Sequence, residues 1–556
     1  MSCQLAYSLK KSALFAIATL FIGWGLLSCS PAITDTGVGT GPGNDGSNGP
    51  FPDLPGGPVA GGTIKSDKLD AIAAAFSQAK PGLGAGPCLL EPALDAMYPL
   101  NFSPPLFEWS APANQNIFEL RLHVDNQISD LVLYTDQSSF VLPDAMWSGL
   151  TQHSAGHDIT ITLRSGQLSG GALVGGAFEG ASGPVHIAPV PAPGAVVYWT
   201  TSGGSALKGF HIGDRKPTTV LAPQQIRNGT PGGDNTQCIG CHTSSPDGAL
   251  AFFGRSPNTD AFPFSVDARV LDGSGKRPGA GVVSANALLQ LSRTLQFMPT
   301  FSPAHYSESD AAVITVGGSY PGPFELIWTD LHATSAGTRA MTRTGDSRDA
   351  DSPNFSKDGT RVAYTSTDIV AISGQPTYSD IYTIPYNQGA GGNASPVPGA
   401  SDPKYNEFYP AFSPGDTFLA FNRVPAGQAI YDVAYAELFI VPSQGGQPTR
   451  LRANDSPACS GLTSPGITNS YPRWAPTTMP DGADRYYWMV FSSRRRANPL
   501  NGVGIPQLFL SVVVTTSTGG VETVKQTYPA IFIPAQLRTE SNHTPAWDVF
   551  QLPPAG

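Results

Sequence analysis

Charge is scarce in this chain. Of its 556 residues only 13% are charged, about half the ~25% of an ordinary globular protein. The 32 basic residues form no run and are outnumbered by 42 acidic ones, for a net charge of −10. A nucleic-acid partner is therefore excluded, because polyanion binding needs a clustered basic face. Long helices are also disfavoured. The chain holds 62 glycines and 52 prolines, about a fifth of its length where ~12% is usual, and these are the two poorest helix residues. A coiled coil is excluded on the same ground. Cysteine is sparse, at six. What remains is not the composition of a disordered chain. Hydrophobic residues make up 40% and aromatics 10%, recurring throughout. Many short strands joined by Gly/Pro turns, an all-β chain, fit best.

The first residues read as an address. Lys10 and Lys11 precede an apolar run at 12–27, the charged and hydrophobic regions of a secretory signal. The run is shorter than the ~20 residues of a membrane span. Leu26-Leu27-Ser28-Cys29 resembles the bacterial lipobox, which implies a leader at 1–28, lipid on Cys29 and a membrane anchor. Ordinary signal cleavage is the alternative. Ser30, not Asp, follows Cys29. By analogy with lipoprotein sorting this implies an outer-membrane lipoprotein of the cell envelope, facing the periplasm or the surface. Residues 29–64 are mostly Gly, Pro, Asp, Asn, Ser and Thr and read as a disordered tether.

Residues 65–89 are expected to hold one short helix and a connector. Ser66 is the expected N-cap, with Leu69, Ile72 and Phe76 on one face. From 90 to 192, short apolar runs such as Phe107-Glu108-Trp109, Phe118-Glu119-Leu120-Arg121-Leu122 and Ile159-Thr160-Ile161-Thr162-Leu163 alternate with turn residues. Their order resembles a fibronectin type III-like domain, which implies a β-sandwich. His153 and His157 have i, i+4 spacing but no further ligands near them, and read as solvated loop histidines.

A repeat organises the rest of the chain. The phrase P-x-aromatic, with Ser next in three of five copies and usually a turn and a strand after it, occurs at Pro299-Thr300-Phe301-Ser302, Pro353-Asn354-Phe355-Ser356, Pro410-Ala411-Phe412-Ser413, Pro472-Arg473-Trp474-Ala475 and Pro545-Ala546-Trp547-Asp548. A degenerate first copy runs Ser244-Ser245-Pro246-Asp247-Gly248. The copies lie about 55 to 75 residues apart, longer than the ~40–45 of common blade repeats, and each step is expected to hold four strands, as a propeller blade does. The last copy lacks room for its outer strands. The segments near Val196, Phe210 and Val220 would complete it, closing a six-bladed ring over 193–556 and protecting the sheet edges. The phrase resembles the TolB-type, WD40-like propeller repeats of bacterial envelope proteins. That resemblance implies a fold class of six-bladed β-propeller after a β-sandwich, and a scaffold that binds partner proteins.

One motif carries chemistry. Cys238-Ile239-Gly240-Cys241-His242 is C-x-x-C-H, the attachment motif of one covalent haem c. Two thiols at this spacing meet the two vinyl groups of one porphyrin edge, and His242 becomes the proximal axial iron ligand. A redox disulfide and a zinc site are the alternatives, but no βαβ context and no second ligand pair surround the motif. In repeat register His242 stands where later copies have Pro, on the innermost strand of the first blade, so the haem is expected at the mouth of the central channel. Two residues compete as distal ligand. Met298 is the equivalent of Cys241 in the next blade, and Met298-Pro299-Thr300-Phe301 resembles the M-P-x-F around the distal Met of small cytochromes c. His543 lies at the entrance of the last copy. An open position is the third reading. Cys88 and Cys459 are left to pair as a disulfide in an oxidising compartment. Gly273-Ser274-Gly275-Lys276 lacks the rest of a phosphate loop, and no nucleophile elbow accompanies the repeats. The expected function is electron transfer or haem-linked sensing with a redox partner at the envelope, with a non-enzymatic interaction scaffold as the alternative. No catalytic residue is assigned.

Overall fold

The computed structural model describes residues 50–556 except 231–233, 258–263, 294, 320–321, 369–375, 432, 457–458, 460–467, 496–504 and 554–556. The expected leader, the lipidation residue Cys29 and most of the expected tether lie outside the described residues.

Two sheets build the amino-terminal part. Side by side in the first are Pro58–Gly61, Leu131–Thr135, Ile117–His123, Asp158–Ser169, Ala172–Ile187 and Met97–Tyr98. The second joins Cys88–Glu91, Leu106–Ser110 and Ser139–Val141. Alternate residues Ile159, Ile161 and Leu163 are buried, as a half-covered strand requires. They share one core with Trp109, Phe118 and Leu120. Two pairings, Pro58–Gly61 with Leu131–Thr135 and Met97–Tyr98 with Ala172–Ile187, are parallel, unlike an all-antiparallel sandwich.

Four expectations need correction here. The tether does not extend to 64. Leu54 is buried in the core, Phe51 stacks on His153 at 4.1 Å, and Pro58–Gly61 is a strand. Strand pairing uses backbone N–H and C=O groups, so a segment short of large side chains still joins a sheet edge once a few apolar contacts hold it. Ser66 opens a short 3-10 turn without capping through its side chain, and the helix proper is Leu69–Gln78, with Ile72 and Phe76 buried. The break expected at 89/90 falls inside the strand Cys88–Glu91. His153 ends a helix, Asp144–His153, with its Nδ1 2.8 Å from Asp53 Oδ2, while His157 Nδ1 lies 2.8 Å from Asp125 Oδ1. Each imidazole has its own carboxylate partner.

The remainder is an all-β propeller. Six successive sheets each begin with an inner strand: Cys238–Ser244, Gln296–Thr300, Asp349–Phe355, Tyr405–Phe412, Asn469–Trp474 and Asn542–Asp548. These strands contact one another in sequence, and the last also touches the first, so the contacts close a ring. In the sixth sheet the carboxy-terminal strand Asn542–Asp548 pairs with Ala195–Thr200, followed outward by Ala206–His211 and Thr218–Leu221. Both ends of the propeller segment therefore share one sheet, which pairs edges that would otherwise stay open. Four strands per step does not hold everywhere. The first sheet has three strands. A helix, Ala285–Leu291, packs Ala287 and Leu291 against its Val266 and Ala268, and Ser284 Oγ caps it by accepting from Ala287 N at 3.0 Å.

The repeated phrase has a backbone cause. Every inner strand bulges at one equivalent residue: Cys241 (φ 46°), Met298 (53°), Ser352 (47°), Tyr409 (58°), Tyr471 (64°) and Thr544 (39°). Cross-strand register skips at each of these places, as a bulge demands. In five sheets the next residue is Pro, whose missing N–H falls where the ladder has a gap. The Ser that follows caps the hairpin. Ser356 Oγ accepts from Arg361 N at 3.0 Å and Ser413 Oγ from Phe418 N at 2.9 Å.

The amino-terminal sheets rest on the propeller through a shared core that includes Trp488, Val490 and Leu510 of the fifth sheet. Trp488 Nε1 donates to Pro191 O at 3.1 Å. Glu91 Oε1 accepts from Phe532 N at 2.8 Å, and burial pushes its carboxyl up to about 8.

Candidate cofactor-attachment strand and axial cavity

The C-x-x-C-H residues lie on the inner strand of the first sheet, Cys238–Ser244, paired with Leu250–Ser256. A regular strand turns residues three apart to opposite faces. The bulge at Cys241 breaks that alternation, and both thiols sit in one hydrophobic cluster with Trp199, Phe253, Phe264 and Phe297. Both are buried. Cys238 Sγ lies 3.7 Å from Ser205 Oγ, and that hydroxyl also accepts from Trp199 Nε1 at 2.7 Å and Ile239 N at 3.0 Å.

His242 occupies the Pro position of the other repeats. Its Nε2–H donates to Val197 O at 3.0 Å. Val197 belongs to the sixth sheet and sits where the register with Asn542–Asp548 skips, so the imidazole serves a carbonyl that the bulge leaves beside Pro545. Nδ1 is buried and has no hydrogen-bond partner. Burial pushes the ring's pKa down to about 4, so the imidazole is neutral at physiological pH and the Nδ1 lone pair is open.

The two expected distal ligands differ. Met298 is buried at the bulge of the second sheet, where its Sδ accepts from Ser352 Oγ at 3.5 Å. His543 has a hydroxyl against each of its ring nitrogens. Nδ1 is hydrogen-bonded to Tyr431 OH at 2.5 Å and Nε2 to Ser541 Oγ at 2.8 Å. Burial holds its pKa well below the usual imidazole range, so the ring is neutral. Among the described residues no three His, Cys, Asp or Glu side chains gather to hold a metal ion, so Cys238, Cys241 and His242 do not converge on a single point. Cys88 and Cys459 are joined, with Cα atoms 5.4 Å apart.

An axial cavity of about 160 Å³ opens beyond the bulges. Its wall takes the x residue of the P-x-aromatic phrase from five sheets, Thr300, Asn354, Ala411, Arg473 and Ala546, and the matching Thr243 from the first. His242, Lys357 and Asp548 also line it. Reading the repeat for its constant positions passed over these residues. The signal was present in the phrase, because the variable x between a bulge Pro and a packed aromatic is the residue aimed at the axis.

No family model matches the chain, and no curated protein matches it. Solved structures do. TolB from Acinetobacter baumannii is 14% identical over 70% of this chain and 79% of its own, with a TM-score of 0.34. A nidogen/laminin complex is 11% identical over 62% and 100%, with a TM-score of 0.31. Hydrazine synthase from Kuenenia stuttgartiensis is 11% identical over 58% and 89%, with a TM-score of 0.28. The propeller assignment stands on the chain's own ring of sheets.

Proposed function

We propose that this chain is an exported, lipid-anchored, six-bladed β-propeller that carries one covalent haem c and serves electron transfer or haem-linked sensing at the cell envelope. The observation that carries the reading is a contrast between two cysteine pairs. Cys88 and Cys459 are joined to each other, while Cys238 and Cys241 lie buried on one strand beside a neutral histidine with one open nitrogen. Two thiols and an imidazole of this kind suit a C-x-x-C-H haem site in chemistry. Cys238 and Cys241 would hold the porphyrin and His242 would supply the proximal ligand. When bound, the group supplies a one-electron redox centre. The chain's own part is to bury the thiols, keep His242 neutral and surround the strand with Trp199, Phe253 and Phe297. Thiols this buried are reachable only before the core closes, so attachment precedes folding of the first sheet.

The test is a reduced-minus-oxidised spectrum and a pyridine haemochrome assay on protein exported from cells with haem-attachment machinery. One haem per chain is expected, lost entirely in Cys238→Ala/Cys241→Ala. Absence of c-type bands from the parent protein overturns the reading. A second reading, an envelope interaction scaffold, is favoured by the axial cavity. A partner captured equally by the parent protein and the double-alanine variant would support it.

A further inference from the structure

We propose that the axial cavity is a binding site for a small free carboxylate, gripped by the guanidinium of Arg473. Six residues occupy the ring of x positions around the axis, namely Thr243, Thr300, Asn354, Ala411, Arg473 and Ala546. Five are small and uncharged. The fifth sheet alone places a cation there, in a chain that carries an excess of acid.

Arg473 has little to hold it within the protein. Nη1 donates to the adjacent carbonyl, Pro472 O, at 2.8 Å. The guanidinium carbon lies 4.6 Å from the Tyr471 ring centroid. Arg473 makes no ion pair among the described residues. The carboxylate that shares the cavity, Asp548, is engaged elsewhere, since its Oδ2 accepts from Thr243 Oγ1 at 3.1 Å and Ser244 N at 3.3 Å. Arg473 is half-buried; burial pulls its pKa down, and Asp548 opposes this only through space, since it makes no ion pair with the guanidinium among the described residues. Its planar fork matches the two oxygens of a carboxylate.

The rest of the wall fits the same ligand. Asn354 Oδ1 accepts from Phe412 N at 2.8 Å, which leaves the amide N–H₂ as its free end. The indole N–H groups of Trp474 and Trp547 are spent on Ala411 O at 3.0 Å and Pro193 O at 2.8 Å. Their rings therefore offer apolar walls for a short carbon chain. Lys357 adds a second positive charge that has no ion pair among the described residues. At about 160 Å³ the space suits a molecule of a few carbons, well below the ~300 Å³ at which drug-sized sites begin.

Neither Cys238 nor Cys241 lines the cavity, but His242 does, so the two proposals meet at one residue and are separated by testing haem-free protein. The test therefore uses the full exported chain as Cys238→Ala/Cys241→Ala, so that failure of one idea leaves the other standing. Acetate, malonate, succinate and inorganic phosphate are titrated by calorimetry and by tryptophan fluorescence, which Trp474 and Trp547 report. Saturable one-to-one binding of at least one carboxylate is expected. Arg473→Gln should weaken it by roughly tenfold or more, and Arg473→Lys, which keeps charge but not the fork, by less. Arg121→Gln, in the amino-terminal sheet, should leave it unchanged. No saturable signal from any carboxylate overturns the proposal, as does equal affinity in Arg473→Gln. Phosphate binding more tightly than every carboxylate overturns the ligand class. If Arg473→Gln does not fold, Arg473→Lys decides: unchanged affinity then rejects the role of the guanidinium.

Discussion

The first and fourth sheets of the propeller follow the same plan and part company at a few residues. In the fourth, Tyr409 takes the left-handed bulge, Pro410 follows, Ser413 caps the hairpin, and four strands run outward to Thr449–Arg450. Packing and backbone pairing explain each of these residues. In the first, Cys241 takes the bulge, His242 replaces the proline, and the sheet has three strands with a helix packed between it and the second sheet. Those departures serve no need of the repeat, and they gather two buried thiols and the neutral imidazole on one strand. Where a repeat is obeyed its residues report the fold, and where it is broken they report something added to the fold.

The first way to break this comparison is to strip equivalent core rings. Phe253 and Phe421 are each fully buried on the second strand of their sheets. Phe253→Ala and Phe421→Ala should each cost about 3–5 kcal/mol in urea unfolding of haem-free protein. A first-sheet loss under ~1 kcal/mol would mean that this sheet packs without its neighbours and that the shared plan is wrong.

The two cysteine pairs give the next contrast. Cys88→Ala/Cys459→Ala opens a link between the amino-terminal sheet and the chain ahead of the fifth propeller sheet, and should lower stability by about 2–4 kcal/mol. Cys238→Ala/Cys241→Ala removes two sulfurs from a core without removing a cross-link, and should cost less in haem-free protein. Denaturant midpoints of the two double variants, compared with the parent under oxidising conditions, check the order. A reversed order would show that Cys238 and Cys241 carry structural weight of their own.

Much of this architecture was legible in the sequence, and the reasons are physical. The P-x-aromatic phrase is visible because all six bulges demand a proline-tolerant backbone, which five of them fill with Pro, and four of the copies add a Ser at the hairpin. Closure by the segments near Val196, Phe210 and Val220 followed from counting strands: the first pairs with Asn542–Asp548 and the other two extend the same sheet outward. Other features depend on partners far along the chain. Pro58–Gly61 looks like linker until Leu131–Thr135 lies beside it. The hydroxyls against the two nitrogens of His543 come from Tyr431 and Ser541. Arg473 reads as one variable residue in a repeat until six such positions face the same axis.

Acid–base behaviour should divide the two sheets as well. In the first, the folded state holds His242 neutral down to about 4, whereas the unfolded chain takes the proton below ~6.5. Stability from this group is present above ~6.5 and is lost as pH falls towards 4. In the fourth, burial raises the carboxyl of Glu407 above its ordinary 4.5. Its stability is present at low pH and is lost as pH rises from there. Urea titrations should therefore show His242→Gln flattening the acid-side slope and Glu407→Gln flattening the opposite one, each by up to about 1 kcal/mol per pH unit. A variant whose slope matches the parent's would remove that group from the balance.

The smallest expected effect is the most discriminating. His242→Pro restores the residue found at this place in the other five sheets. The bulge at Cys241 already has the left-handed backbone that precedes proline in those sheets, although here His242 stands in register with Phe253. What disappears is the donor to Val197 O, worth about 1 kcal/mol, together with a buried imidazole that must stay neutral. These two changes oppose each other, so thermal unfolding of haem-free His242→Pro should lie within about 1 kcal/mol of the parent. The same substitution in cells with haem-attachment machinery should leave no haem with the parent's spectrum. A stability loss of ~3 kcal/mol or more would instead make His242 a clasp between the first and sixth sheets, holding the ring shut through one imidazole–carbonyl bond. The difference between the first sheet and the fourth would then lie in ring closure, and not in a cofactor.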